Sequence, residues 1–320
     1  MIGGRISVWT RRAVHGSALA LGLTGAAPRL AFAQSTAPDT SFAVSRNGVI
    51  DISMRSGRLV VRGSDRATAE LRSNGNDYQV RSGGVGVVLA VNESTRGRNE
   101  RSFSGRRSDR GDVTLDVPRG TKVIVHGMTV DVDVADVAGD VEVQVYTGDV
   151  TFRALSGRAI ATTVAGDVDA MDMSGDLRLS TVSGDISVRA SRGAVELNTT
   201  SGDADISIDR ISRLQFNSVT GDLVLAGALA DDARLQVTTH SGDVTMRLPA
   251  GAAGQLEVST FSGEVSGGTM TLMPGSLDGG RRGERGGSRY EFGGGGSARI
   301  AVSTFNGDIT LIRGAGRGRE

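Results

Sequence analysis

The 320-residue chain contains no cysteine. That excludes disulfides, thiol nucleophiles, zinc–thiolate sites and a lipid-anchored N-terminal Cys. Aromatic residues make up only 4%, and there are five prolines and three histidines. Neither sign of charge dominates, with 36 basic and 36 acidic residues. A global basic surplus of the kind that marks a nucleic-acid binder is therefore missing. What the chain has in quantity is glycine, 47 residues of it. Glycine weakens helices, and this mixture suits many short strands joined by tight turns.

Residues 1–33 read as a leader outside the fold. Basic residues, an apolar run and small residues end at Ala31-Phe32-Ala33, an A-x-A signal with cleavage expected before Gln34. Arg11-Arg12 ahead of a mild apolar stretch leaves both Sec and twin-arginine export open. The leader carries four Arg and no acid, which leaves 32 basic and 36 acidic residues and a net charge of −4. No further apolar run approaches the roughly 20 residues a membrane helix needs. The mature chain is expected to lack a transmembrane segment and to act in the periplasm, at the cell surface or as a secreted protein.

An internal repeat organises the rest. With the Gly of the phrase Thr-x-Ser-Gly-Asp as position zero, it recurs at Gly148, Gly166, Gly184, Gly202, Gly221, Gly242, Gly263 and Gly307. The intervals are 18, 18, 18, 19, 21, 21 and 44. Positions −7 (Val141 to Ile300), −5 (Val143 to Val302) and +2 (Val150 to Ile309) are apolar throughout, and −4 is polar and uncharged. Alternation of this kind marks strands with one buried face. One repeat holds two short strands and two turns and cannot bury its own apolar face. Stacked copies can, which predicts an all-β fold: a parallel β-solenoid of 18–21-residue coils.

Position −2 holds Tyr146, Val164, Val182, Thr200, Val219, His240, Phe261 and Phe305. We read this column as core, which places a change of phase between −5 and −2. The competing reading leaves −2 outside, with Tyr146, Phe261 and Phe305 in a candidate interaction stripe.

The run "LDVPRGTKVIVHGMTVDVDVADVAGDVEVQVYTGDV", the Thr-x-Ser-Gly-Asp coils and the terminal "GGGGSARIAVSTFNGDITLI" resemble the bacterial family called "putative adhesin", or DUF4097. The resemblance covers about residues 42–313 and implies an exported or membrane-tethered β-solenoid-like domain. It carries no catalytic residues over to this chain.

The expected organisation is then a linker at 34–41, one solenoid domain at 42–313 and a tail at 314–320. Within the domain, 92–110 (Arg-rich) and 274–297 (Gly-rich) read as flexible loops. Residues 67–91 read as a β-hairpin region that caps the N-terminal end, with Asn74-Gly75 as a hairpin turn.

Position +1 is acidic in every coil: Asp149, Asp167, Asp185, Asp203, Asp222, Asp243, Glu264 and Asp308. Asp beside Gly is ordinary turn chemistry. The alternative is a cation ladder on Asp149, Asp167, Asp185, Asp203, Asp222 and Asp243. The chain lacks the paired glycines of calcium-binding nonapeptides. Asp169 and Asp205, two coils apart, read as surface charges, and His126 and His240 as isolated residues, so no catalytic or cofactor site is expected.

The expected function is an exported non-catalytic envelope protein, an adhesin or protein-interaction scaffold. The alternative is a carbohydrate-binding or polysaccharide-processing module. Partners are then a protein or glycan of the envelope and no nucleic acid, with end-to-end self-association through open strand edges.

Overall fold

The computed structural model describes residues 8–10, 39–45, 47–74, 76–82, 86–93, 112–190, 192–267, 273–274, 288–294 and 296–314. Two parallel ladders run along one axis, and each coil contributes a strand to both. In the first ladder, Leu177–Ser183 pairs with Ala159–Ala165 on one side and Ala194–Ser201 on the other. In the second, Ile186–Ala190 lies between Val168–Met173 and residues 204–208. Some coils cross both ladders in a single strand, such as Ala204–Thr220 and Leu223–Ser241. The fold is the expected β-solenoid. At about 4.8 Å per level the rod is roughly 50 Å long.

The core lies between the ladders. Outside the terminal Gly263 coil, positions −7, −5, +2 and +4 are buried as the alternation requires; Leu177, Leu179, Ile186 and Val188 are all at most 2% exposed. The −2 column, however, is outside. Val182 is 47% exposed and Thr181 beside it only 3%. The assignment of −2 to the core is therefore corrected: alternation continues from −5 to −3, and the phase changes at the Gly corner. The physical reason is the period of two: −7, −5 and −3 share one face, so the Thr or Ser at −3 turns inward and −2 outward.

Those inward hydroxyls are poorly satisfied. The side-chain oxygens of Thr163, Thr199, Ser218 and Thr304 are buried without a hydrogen-bond partner. In the coil before Thr163 the same position is Val145, 4% exposed. An unpaired buried hydroxyl costs desolvation with no return. Thr163→Val is therefore expected to raise stability, by up to about 1 kcal/mol, read as a higher denaturant midpoint with unchanged slope.

The stacking order departs from chain order at both ends. Residues 234–241 pair with Ala298–Asn306, and that strand pairs on its far side with Gly254–Ser262. The Gly307 coil thus sits between the Gly242 and Gly263 coils. At the other end, Val49–Ser64 lies between Lys122–Ala135 on one side and the strands Gly86–Glu93 and Asp112–Pro118 on the other.

The N-terminal cap is antiparallel, but its hairpin is not at Asn74-Gly75. Thr68–Asn74 pairs with Asp112–Pro118 and Thr40–Ala43, whereas Asn76–Ser82 pairs with Gly86–Glu93. Thr68–Asn74 and Asn76–Ser82 therefore belong to different ladders, and the consecutive antiparallel pair is Asn76–Ser82 with Gly86–Glu93. Arg72 bonds Asp116 and Glu70 across the cap, which raises its pKa despite partial desolvation.

Other boundaries also shift. Thr40–Ala43 begins inside the expected linker, and Gly86–Glu93 runs into the expected loop at 92–110. Ser288–Phe292, inside the expected loop at 274–297, is a strand antiparallel to Gly254–Ser262. It forms there because the Gly263 coil is outermost and its edge would otherwise lie open. Val8–Thr10 of the leader pairs with Asn76–Ser82. The cleavage signal at 31–33, most of the loops at 92–110 and 274–297, and residues 315–320 lie outside the described residues.

Candidate interaction face

The Gly column defines one long corner of the rod. Gly184 has φ +141°, and a Cβ there would lie 2.2 Å from the Gly166 carbonyl oxygen of the preceding coil. Only glycine meets both demands, the dihedral and the close backbone approach.

On one side of this corner stand the +1 carboxylates. Each accepts the backbone N–H of the next acid along the axis. Asp185 N–H donates to Asp167 Oδ1 at 2.9 Å, Asp203 N–H to Asp185 Oδ1 at 2.9 Å, and Asp243 N–H to Asp222 Oδ1 at 2.8 Å. The ladder starts at Asp131 and ends at Glu264, whose N–H donates to Asp308 Oδ1 at 2.8 Å. The turn role is thus refined. Asp serves the corner by bonding the next coil rather than its own turn. This offsets the repulsion of stacked acids, because each carboxylate receives a donor. The six residues of the candidate cation ladder, Asp149, Asp167, Asp185, Asp203, Asp222 and Asp243, all lie in this column. Among the described residues no Lys or Arg forms an ion pair with it. A shallow groove of about 370 Å³ runs beside it, walled by Asp167, Asp185, Asp203 and Asp222 and by Asp169 and Asp205.

On the other side stands the −2 column. Seven large apolar side chains are exposed among the described residues, and six of them share it: Met128, Tyr146, Val182, Val219, Phe305 and Phe261. Met128 joins through its register, since Gly127 and Thr129 pair with Val145 and Thr147. Concentration in one column distinguishes a surface feature from scattered exposure. The reading of −2 as core missed this face. A strict count of alternation through −3 was the signal that could have found it.

The stacking order also brings the aromatics together. Phe305 stacks on His240 at a centroid distance of 4.9 Å and an interplanar angle of 12°. On its other face it stacks on Phe261 at 4.8 Å and 5°. Tyr146, several coils away, is 64% exposed and outside this group. Phe261 and His240 are adjacent in the repeat yet separated in space by Phe305. A short thiol cross-linker is accordingly expected to bridge the pair His240→Cys/Phe305→Cys and not His240→Cys/Phe261→Cys, whose positions are two levels apart, about 9.6 Å. Electrophoretic mobility after cross-linking would read this out.

Residues 49–312 match the family model described as Toastrack DUF4097. No curated protein matches the chain. Among solved structures, a "putative cell adhesion protein" from Clostridium sporogenes is similar at 11% identity, over 86% of this chain and 98% of that one, with a TM-score of 0.20. A likeness at that score carries no argument about function.

Proposed function

The chain belongs to the Toastrack DUF4097 family, and from that premise we propose that it is an exported, non-catalytic envelope or surface protein whose rod presents one face to a protein partner. The observation that carries the reading is the exposed apolar −2 column, held in line by the coil stack. Side chains fixed on parallel strands lose little freedom on binding, and this pre-organisation favours association. The leader read at 1–33 supports export. No helix among the described residues is long and apolar enough to cross a membrane.

The carbohydrate reading is weaker. A sugar platform needs ring faces turned outward, and Phe305, the central ring, has both faces covered by His240 and Phe261.

The test is a photo-cross-linking residue placed at Val182 in the producing cell, with Arg189, exposed on the other ladder, as reference. A protein adduct from Val182 and none from Arg189, on a chain beginning at Gln34, is the expected result. Uncleaved protein retained in the cytoplasm, or adducts equal at both positions, would sink the proposal.

A further inference from the structure

The corner that carries the −2 stripe also carries the +1 acids, three residues further along each coil. Three residues span at most about 10 Å. A body lying along the rod on the stripe therefore meets a parallel row of exposed carboxylates on one flank. Their Oδ1 atoms are occupied by backbone N–H groups, and no basic side chain among the described residues neutralises them. Asp169 and Asp205 on the groove wall extend the acidic flank onto the second ladder.

From this juxtaposition we infer that the partner element is a basic amphipathic α-helix carried by an envelope protein. It lies along the rod with its apolar stripe on the −2 column and its Lys or Arg stripe on the +1 ladder. The inference rests on the proposed reading of the −2 column as an interaction face. Two arguments select the occupant. The first is charge: a neutral or acidic partner would leave the carboxylates desolvated or repelled, whereas a basic one pairs with them. The second is pitch. A helix returns the same face every 5.4 Å, close to the coil rise of about 4.8 Å, so several turns stay in step. An extended strand lying along the axis repeats a face only every ~6.8 Å and falls out of step at once.

The test uses the mature chain and fluorescent synthetic helices. One peptide has Leu and Lys in amphipathic order; in others Gln or Glu replaces Lys; a fourth scrambles the Leu/Lys sequence. Binding is followed by anisotropy at low and high salt. The Leu/Lys helix is expected to bind best and to weaken with salt. An Asp185→Asn/Asp203→Asn/Asp222→Asn protein keeps an acceptor for each N–H, so its melting temperature should hold. Its affinity for the Leu/Lys helix should fall at least about tenfold and lose its salt dependence.

Equal binding of the scrambled peptide would reduce the effect to charge alone and overturn the inference. Equal binding of the Leu/Gln helix, unaffected by the Asn substitutions but lost in Val182→Ser/Val219→Ser, would overturn the basic partner and leave the interaction face standing. Binding by none of the helices would also overturn it, and the Val182 cross-linking result then judges the interaction face separately.

Discussion

Gly184→Ala is expected to lower stability by about 3–5 kcal/mol, among the largest effects a single methyl group can have. The new Cβ would lie 2.2 Å from the Gly166 carbonyl oxygen, at a φ of +141° that L-residues rarely adopt. Relief requires the coils to separate. The hydrogen bond from Gly166 N–H to the Ser183 carbonyl, which joins these two coils, resists that separation. Gly251→Ala is the matched control, since nothing lies within 4 Å of a Cβ at that site. Its unfolding free energy should stay within about 0.5 kcal/mol of the parent. Comparable losses at both sites would mean that the column is not held by close backbone stacking.

The second large effect concerns binding. In Val182→Ser/Val219→Ser/Phe305→Ser, three exposed apolar side chains leave the face while the core is untouched. Truncating a central interface contact commonly costs 1 kcal/mol or more. Three such losses, at roughly 1–1.5 kcal/mol each, predict a fall in partner affinity of about 10²–10³-fold. The thermal midpoint should fall only modestly, because the substituted side chains are 47–49% exposed and the main loss is the stacking of Phe305 on His240 and Phe261. A titration of the cross-linked partner against both proteins, beside a thermal melt, measures the two quantities together. Unchanged affinity would remove the −2 column from the account.

Much of this architecture could be read from the repeat. The apolar columns at −7, −5 and +2 define two strands per coil, and their burial follows from alternation. The Gly-Asp corner was also visible, although not the direction of the Asp hydrogen bond. That bond runs along the axis to the next coil, and a single repeat contains no information about its neighbour. The −2 column was misassigned because hydropathy and alternation conflict there. Val182 is the more apolar residue, yet Thr181 takes the inward position. The end coils were hidden for another reason. Each coil offers the same strand edges, so nothing in residues 298–314 marks them as belonging between the Gly242 and Gly263 coils. The 44-residue interval signalled an insertion but not the insertion's path. Ser288–Phe292 lies between Gly254–Ser262 and Met273–Pro274 in glycine-rich surroundings, where local propensity is weakest.

The absence of cysteine makes the most direct measurement simple, since any introduced thiol is unique. The rate of thiol labelling at Val182→Cys is compared between the purified protein and intact envelopes, with Arg189→Cys as reference. If the −2 column is the docked face, Val182→Cys labels rapidly when purified and at least about tenfold more slowly in envelopes, because an interface core excludes water, while Arg189→Cys is unchanged. Equal rates at Val182→Cys in both preparations would contradict the account.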